Sequence, residues 1–428
     1  MRLWALVALI LSVVASCLTA WVKSRWRVAK PHTYQPGPLL EVGLLHNTNY
    51  DEWVNGHAYT APFKDLPFTP TLSCEPDVSV FMERFDWQVR PISPYSAEKG
   101  CGRMENMPWY NNTYKGDPRT VWAVPHGIDR LLAMARKHCD PSRNDRVVLF
   151  AGSEQPLEQA FGLTDAARNA TMGHLRKYFN RIVYQTKDFK IEGVHLAPMG
   201  LSWGYMYSLI HDMHNKVHRS PELISREFQA LVENASRVDL SYKTKGVLAT
   251  RSRVATWLDD PGLWRKCVRH LSQKPVNLIY PTKTYSSVRS IMAAFNSRYN
   301  LRWFSNTTQA ARAGVDFRSI PVPEWWRELP KYRFLLNPMG SAVQTAKTYE
   351  ALLSLTIPII VHQSFSAFFE LARMGFPLVL ISAWVEVTPE NLERWWHKVS
   401  PRLESFRRNC LTVDGYWKMV TGQVAFCE

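Results

Sequence analysis

Residues 333–361 constrain the fold more than any other part of the chain. The pattern predicts a short buried strand at 334–336, a sharp break at 337–341, a helix over about 344–355 and a second apolar strand at 357–361. Strand, turn, helix and strand form a βαβ crossover, which joins two parallel strands. We therefore expect an open parallel sheet with helices in this region.

The start of the predicted helix is a candidate ligand site. In open parallel sheets, ligands bind beyond the carboxyl ends of the strands, and the free N–H groups of a helix start suit a phosphate or diphosphate. Lys347 and Glu350 are three residues apart and so share one helix face, where a cation can meet a diphosphate and a carboxylate can accept from ribose hydroxyls. For such a site, the N-terminus of the helix must face the groove between two lobes, and other parts of the protein must not cover it. The alternative is an ordinary βαβ unit with a solvated lysine and glutamate.

The same segment resembles the donor-nucleotide motif of GT-B glycosyltransferases. It is similar to the exostosin family, in which a strand ending in Pro-x-Gly precedes a helix and a Glu-Ala-Leu…Ile-Pro-Val-Ile run, matched here by Pro338, Gly340, residues 350–352 and residues 357–360. A weaker resemblance to α1,3-fucosyltransferases rests on Thr345, Lys347, Tyr349, Pro358 and Ile359. The resemblance implies two Rossmann-like domains facing across a cleft, and a nucleotide-sugar donor. It also implies a set of donor-binding residues: Pro338, Gly340, Ser341, Lys347 and Glu350.

The net charge of +15 over 428 residues bears on the class of partner. Such a charge suits nucleic acid. However, the basic residues are scattered, no basic tail occurs, and no zinc-finger spacing or RNP-like run is present. We therefore favour an anionic small ligand, such as a nucleotide diphosphate or an acidic glycan, and expect no nucleic acid partner.

Residues 4–22 contain no charged side chain and are just long enough to span a bilayer as a helix. A cleaved signal peptide is the alternative, but the apolar run is longer than usual for one, so we favour an uncleaved signal-anchor. Residues 1–3 would then be a cytoplasmic tail and residues 23–38 a stem. Basic residues that follow the span would by themselves place the body in the cytosol.

Two other features favour a body in the Golgi lumen, and thus a single-pass type II membrane protein. N-x-Ser/Thr sequons begin at Asn111, Asn169, Asn234 and Asn306. Outside the span, an even number of cysteines allows up to three disulfides in a secretory context, with free thiols in a cytosolic enzyme as the alternative. They are Cys74, Cys101, Cys139, Cys267, Cys410 and Cys427.

Alternating helical and strand patterns predict an α/β protein with two domains, followed by helices that cross back onto the first domain. The N-terminal acceptor domain is placed at residues 39–240, the C-terminal donor domain at 241–388 and the returning helices at 389–428. In the first domain we predict helices at 128–138 and 175–183, and strands at 146–150 and 194–196. In the second we predict a strand at 246–249, a helix at 288–295, a strand at 301–304, a helix at 364–374 and a strand at 378–381. The tail is predicted to be helical at 391–398 and 402–408.

Sugar transfer requires a stabilised leaving diphosphate and a deprotonated acceptor hydroxyl. The sequence has no Asp-x-Asp triplet, the usual metal-holding motif of many glycosyltransferases. We therefore expect helix amides and cationic side chains to stabilise the diphosphate without a metal or another cofactor. The cationic candidates are Lys347 and two arginines after the strand at 246–249, Arg251 and Arg253, since an arginine fork suits phosphate oxygens. Surface arginines on a loop are the alternative.

The catalytic base is expected from the first domain. His126 lies beside a predicted helix, and Glu154 follows the predicted strand at 146–150, at the end where ligands bind. His211 and Asp212 are further options. His195 lies within an apolar strand and is expected to be packed in the core.

Three hypotheses remain open from the sequence. The first is an exostosin-like Golgi glycosyltransferase that moves a sugar from a nucleotide-sugar to a glycan or glycoprotein hydroxyl. The second is a membrane-tethered carbohydrate-binding protein with a decayed site, because Ser-x-Arg is missing at the helix start and no base is obvious. The third is a cytosolic nucleic-acid binder. Trp325 and Trp326 could stack a sugar or a base, or anchor the core.

Overall fold

The computed structural model describes residues 68–69, 80–91, 109–152, 155–162, 164–188, 190–202, 230, 237–250, 288–340, 343–363 and 365–428. The predicted anchor at 4–22, the stem at 23–38 and several predicted site residues lie outside these ranges: Glu154, His211, Asp212, Arg251, Arg253 and Ser341. Within them, no helix is long and apolar enough to cross a lipid bilayer.

The first sheet has five parallel strands, which are adjacent in space in their chain order. Its inner strands are rich in valine, isoleucine and aromatic residues and are buried at nearly every position, as expected for strands covered on both faces. The strands are Trp87–Val89, Thr120–Ala123, Val147–Phe150, Arg181–Tyr184 and Val194–Leu196.

The second sheet also has five parallel strands, but their order reverses. Numbered along the described chain, the order across the sheet is 2-1-3-4-5. The reversal places Lys245–Thr250 beside Tyr332–Leu336, with Phe334 opposite Val247. In doubly wound sheets, this kind of switch point is where ligands bind. The strands in chain order are Lys245–Thr250, Val315–Arg318, Tyr332–Leu336, Ile357–Val361 and Val379–Ile381.

The βαβ crossover predicted at residues 333–361 is confirmed. Tyr332–Leu336 leads through a short loop into the helix Ala346–Leu353, here called the site helix, which returns to Ile357–Val361. The two strands pair in parallel, with Phe334 opposite Ile357. The helix begins two residues later than predicted, because Gln344 and Thr345 belong to the loop.

The remaining helices occupy the connections and the C-terminal tail. Several begin with a threonine whose hydroxyl accepts a hydrogen bond from a first-turn amide, as in Thr164, Thr388 and Thr412. The α-helices are Val80–Glu83, Ile128–His138, Leu157–Phe161, Asp165–Arg176, Val288–Ser305, Thr308–Arg312, Val322–Glu328, Ser366–Arg373, Pro389–Val399, Leu403–Cys410 and Val413–Thr421. Short 3-10 turns lie at Pro125–Gly127, Leu240–Tyr242, Leu329–Lys331, Trp384–Glu386 and Ser400–Arg402, and a two-residue parallel pair joins Phe68–Thr69 to Leu201–Ser202.

Two predicted segments were wrong. The helix expected at 175–183 lies earlier, at Asp165–Arg176, where Thr164 caps it, and Arg181–Tyr184 is instead a strand of the first sheet. The strand expected at 301–304 is the last turn of one long helix, Val288–Ser305. Leu301 and Phe304 are three residues apart and both buried, which is the spacing of a helix face and not of a strand.

The last helix, Val413–Thr421, packs against elements of the first sheet. The ring centroid of Tyr416 lies 6.1 Å from that of Phe81, and Trp417 lies 5.1 Å from Phe85. Arg181 Nε donates to the carbonyl oxygen of Val420 at 2.7 Å, which satisfies one of the free carbonyls at the helix end. The last helix of the tail therefore contacts Arg181 of the first sheet, and Phe81 and Phe85, which lie just before the first strand of that sheet.

Cys410 and Cys427 form a disulfide, whereas Cys139 is a buried free thiol at the end of the helix Ile128–His138. Burial raises the pKa of the Cys139 thiol to about 11, so it stays protonated near neutral pH. The Cys410–Cys427 pair is one of the up to three disulfides that the sequence allowed, and Cys74, Cys101 and Cys267 lie outside the described residues.

Candidate functional site

The site helix meets the neighbouring strand at the switch point of the second sheet. Lys347, in its first turn, donates from Nζ to Oγ1 of Thr250 at 3.0 Å. Thr250 is the last residue of Lys245–Thr250, and the site helix follows Tyr332–Leu336. Lys347 thus bridges the carboxyl ends of the two strands between which the strand order reverses. This is the location at which the topology predicts a ligand.

Trp325 joins the two charged residues of the site helix. Its indole Nε1 donates to Oε2 of Glu350 at 2.8 Å. The Nζ of Lys347 lies 5.3 Å from the centroid of the same ring, within the range of a cation–π contact. Trp325 itself comes from the helix Val322–Glu328. Lys347, Glu350 and Trp325, together with Thr250, are called the charged site below.

Burial shifts both charges of the charged site toward their neutral forms. Burial raises the pKa of Glu350 to about 7, and this outweighs the opposing effects of Lys347 and of the Trp325 hydrogen bond. Burial also lowers the pKa of Lys347, against the attraction of Glu350, and the nearby positive charge of Arg298 lowers it further. An acid and a base with perturbed pKa values at a sheet switch point are typical of a functional site.

The loop between strand and site helix is held from several directions. Arg298 Nε donates to the carbonyl oxygen of Met339 at 3.1 Å, and the amide of Met339 donates to Ser297 Oγ at 3.2 Å. Asn337 Nδ2 donates to Oγ1 of Thr348 at 2.8 Å, within the site helix. The predicted donor residues Pro338 and Gly340 lie half-buried in this fixed loop.

The start of the site helix is turned toward the first sheet and contacts it. Gln344 is 4% exposed, and its Nε2 donates to the carbonyl oxygens of Gln185 at 2.6 Å and Ala197 at 2.9 Å. Its Oε1 accepts from the amide of Met199 at 3.0 Å and from the hydroxyl of Tyr349. The Thr345 side chain makes no cap hydrogen bond to the first helical turn. Protein therefore fills part of the space beside the helix start, on the side of Gln344, while the Lys347 face points to the switch point.

The carboxyl ends of both sheets meet at this contact. Gln185 directly follows Arg181–Tyr184, and its side chain accepts from the amide of Gly152 at 3.0 Å and donates to the carbonyl of Met199 at 3.1 Å. Gly152 and Met199 follow the two strands that flank Arg181–Tyr184 in the first sheet. Three loops at the carboxyl edge of the first sheet are thus tied to the residue that precedes the site helix. The loop that bears Glu154 begins at this edge.

Two of the histidines considered as a base, His126 and His195, lie at the surface. His126 lies in the turn Pro125–Gly127, is exposed, and has its ring centroid 6.1 Å from that of Trp109. His195, expected to be packed, is also exposed; this prediction was wrong, because Val194–Leu196 is the edge strand and His195 alternates with its two buried neighbours. No described contact joins either histidine to the charged site.

Of the predicted site residues, the structure brings together Lys347 and Glu350. It adds Thr250, Arg298 and Gln344, which sequence reasoning did not assign to the site, and it places Trp325, which the sequence offered as a stacking or core residue, against both charges. Thr250 could have been found as the last residue of an apolar strand, whereas the positions of Trp325 and Arg298 depend on tertiary packing.

Among the described residues, no group of three or more His, Cys, Asp or Glu side chains could hold a metal ion.

Comparison with known proteins gives little beyond this geometry. No family model matches the chain, and no curated protein matches it. One solved structure that matches is HepE of Anabaena in complex with UDP, with 10% identity, a TM-score of 0.27, and coverage of 72% of this chain and 75% of that one. A match at this level does not establish a shared fold.

Proposed function

We propose that this chain is a glycosyltransferase of the GT-B type that moves a sugar from a nucleotide-sugar to a hydroxyl of a glycan or glycoprotein. One observation carries the proposal. A half-buried lysine and a buried glutamate, joined by one tryptophan, lie at the switch point of a parallel sheet, beside the start of a helix. The exostosin-like pattern around Pro338 and Gly340 supports the choice of a nucleotide-sugar as ligand.

In the proposed reaction, the charged site holds the nucleotide. The ammonium group of Lys347 and the amides of the first helical turn stabilise the negative charge that develops on the leaving diphosphate. Glu350 accepts hydrogen bonds from the ribose hydroxyls. Arg251 or Arg253, directly after Thr250, would add a second phosphate contact. We assign no step to a metal, so transfer is expected to continue in EDTA.

The acceptor is proposed to bind at the carboxyl edge of the first sheet. Glu154, two residues beyond Gly152, is the preferred base, and His126 is the alternative. Either would remove the proton of the acceptor hydroxyl as that oxygen attacks the anomeric carbon, while the nucleotide diphosphate leaves. Inverting transfer needs such a base.

A donor screen tests the proposal. Full-length protein in detergent would be incubated with UDP-, GDP- and CMP-sugars, and release of the nucleotide would be measured with and without glycan acceptors. We expect release from at least one donor, with an increase when an acceptor is present. If every donor stays intact although a glycan binds, the enzyme proposal is wrong.

A carbohydrate-binding protein with a decayed site is the second candidate function. The observation that favours it is Gln344, which stands at the helix start in place of the exostosin Ser-x-Arg pattern and fills space beside it. This candidate predicts glycan binding without turnover, and the donor screen separates the two.

We further propose that the body lies in the Golgi lumen, anchored by residues 4–22. Asn111, Asn169 and Asn306 are exposed and thus accessible for glycosylation. Protein from secretory cells is expected to gain mobility in a gel after endoglycosidase treatment, and the variant with Asn→Gln at all four sequons, Asn234 included, to lose that shift. Unchanged mobility of the wild type would contradict a lumenal body and favour a cytosolic protein.

A further inference from the structure

The side chain of Trp325 contacts both charges of the charged site. It is only 8% exposed, so its ring face is not available as a large stacking platform for a sugar or base. Its contacts are instead internal, to Glu350 through the indole N–H and to Lys347 through the ring face. This pattern is that of a residue that orients other groups.

The indole of Trp325 orients the carboxylate of Glu350. Glu350 is 3% exposed, and its Oε2 accepts from the indole at 2.8 Å. A buried carboxylate is costly unless it is hydrogen-bonded, so the indole N–H both stabilises Glu350 and fixes the direction of its second oxygen, Oε1. A hydroxyl group is the kind of donor that Oε1 could accept from.

Lys347 is fixed in a similar way. One of its three ammonium hydrogens is directed to Thr250 Oγ1, and the indole face lies on another side. These two contacts orient the remaining ammonium hydrogens of Lys347, so little side-chain entropy is lost when those hydrogens bind a ligand. Trp325 thereby fixes the spacing between a phosphate-binding cation and a hydroxyl-binding oxygen.

We propose that Trp325 is a positioning residue that makes the charged site selective for a nucleoside diphosphate with an intact ribose diol. The indole N–H holds Oε2 so that Oε1 accepts from a ribose hydroxyl, while the ring keeps Lys347 over the diphosphate. This inference rests on the proposed function, because it requires that the charged site bind a nucleotide.

Affinities of the full-length protein for UDP, GDP, ADP and CDP would be measured by calorimetry, and the tightest ligand compared with its 2′-deoxy form. We expect the wild type to prefer the ribose form by about tenfold, since a hydrogen bond to a charged group contributes about that factor. Trp325→Phe keeps the ring but removes the N–H, and is expected to reduce the preference to about twofold. Trp326→Phe makes the same change at the neighbouring buried position and is the matched control, with the wild-type preference.

The pH dependence of nucleotide affinity separates a positioning role of Trp325 from a packing role, because a loss of packing alone would not shift its midpoint. The indole hydrogen bond favours the charged form of Glu350, so its removal is expected to shift the pH midpoint of nucleotide affinity upward. Lys347 and Arg298 are the charged groups that act on this site from the two helices packed around it, and both remain in Trp325→Phe. Trp325→His, which retains a ring N–H, is expected to recover part of the ribose preference.

The possible failures are distinguishable. If Trp325→Phe binds the ribose and deoxyribose forms with the wild-type ratio and midpoint, the positioning role is wrong and the proposed function stands. If the wild type binds none of the four nucleotides, the nucleotide site itself is wrong, and the role of Trp325 falls with it. Should Trp325→Phe fail to fold, the wild type decides the question, because a ribose preference below about twofold would overturn the role of Trp325 in selectivity.

Discussion

Replacement of Lys347 by methionine is expected to lower kcat/KM for the nucleotide-sugar by at least about 100-fold. Loss of one preorganised donor to developing charge typically costs this much in a site that excludes water. Methionine keeps an unbranched apolar stem beside Trp325, so we expect the variant to fold. Steady-state rates with the donor found by the screen, together with calorimetry for its nucleotide diphosphate, measure the effect.

Lys398→Met is the matched control for this experiment. Lys398 is exposed on the helix Pro389–Val399, so its removal changes the net charge equally without touching the charged site. The control is expected to retain wild-type rates. A Lys347→Met variant within about threefold of the wild type in both kcat/KM and nucleotide affinity would remove the assigned role of the lysine.

Replacement of Glu350 by glutamine is expected to stabilise the ligand-free protein above pH 7 while it weakens nucleotide binding. The folded protein raises the pKa of Glu350 from 4.5 to about 7, so between these values the native state holds more protons than the unfolded state. The stabilisation present below pH 4.5 is therefore lost as the pH rises to 7. A glutamine still accepts from the Trp325 indole but does not ionise, so at pH 8 the gain is on the order of 3 kcal/mol.

Urea unfolding at pH 4.5 and pH 8, with calorimetry at pH 8, measures both effects. The gain in unfolding free energy is expected at pH 8 and is small at pH 4.5, and nucleotide affinity falls by about tenfold. Glu83→Gln, at an exposed position, is the control and is expected to change stability by less than about 0.5 kcal/mol. A loss of stability at pH 8 would show that the buried carboxylate is structural. The opposite result is typical of a residue retained for function.

Much of the fold could be predicted because local patterns agree with the tertiary structure. The helix at 128–138 and the strands at 194–196 and 357–361 were predicted with their observed bounds, since each is a short apolar run between clear breaks. The segment 175–183 failed because it contains the end of a helix and the start of a strand, with no glycine or proline between them.

The site was predictable only in part, for reasons of chain topology. Lys347 and Glu350 share one helix, so their spacing in sequence already placed them together. Thr250 lies 97 residues from Lys347 and Trp325 lies 25 residues from Glu350, so these contacts depend on the strand order and on helix packing. The sequence motif marks where a ligand could bind, but not which side chains orient the charged groups.

The buried amide of Gln344 has a mechanical consequence. It belongs to the segment that starts the site helix, yet both of its donor hydrogens and its oxygen are engaged with backbone groups of the first sheet or with Tyr349. A hinge motion that separated the two sheets would break the hydrogen bonds of Gln344 and leave the carbonyl oxygens of Gln185 and Ala197 without this donor. If those bonds held, the motion would instead shift the site helix relative to its own sheet. We therefore expect the two sheets to stay in contact through Gln344 when a ligand binds.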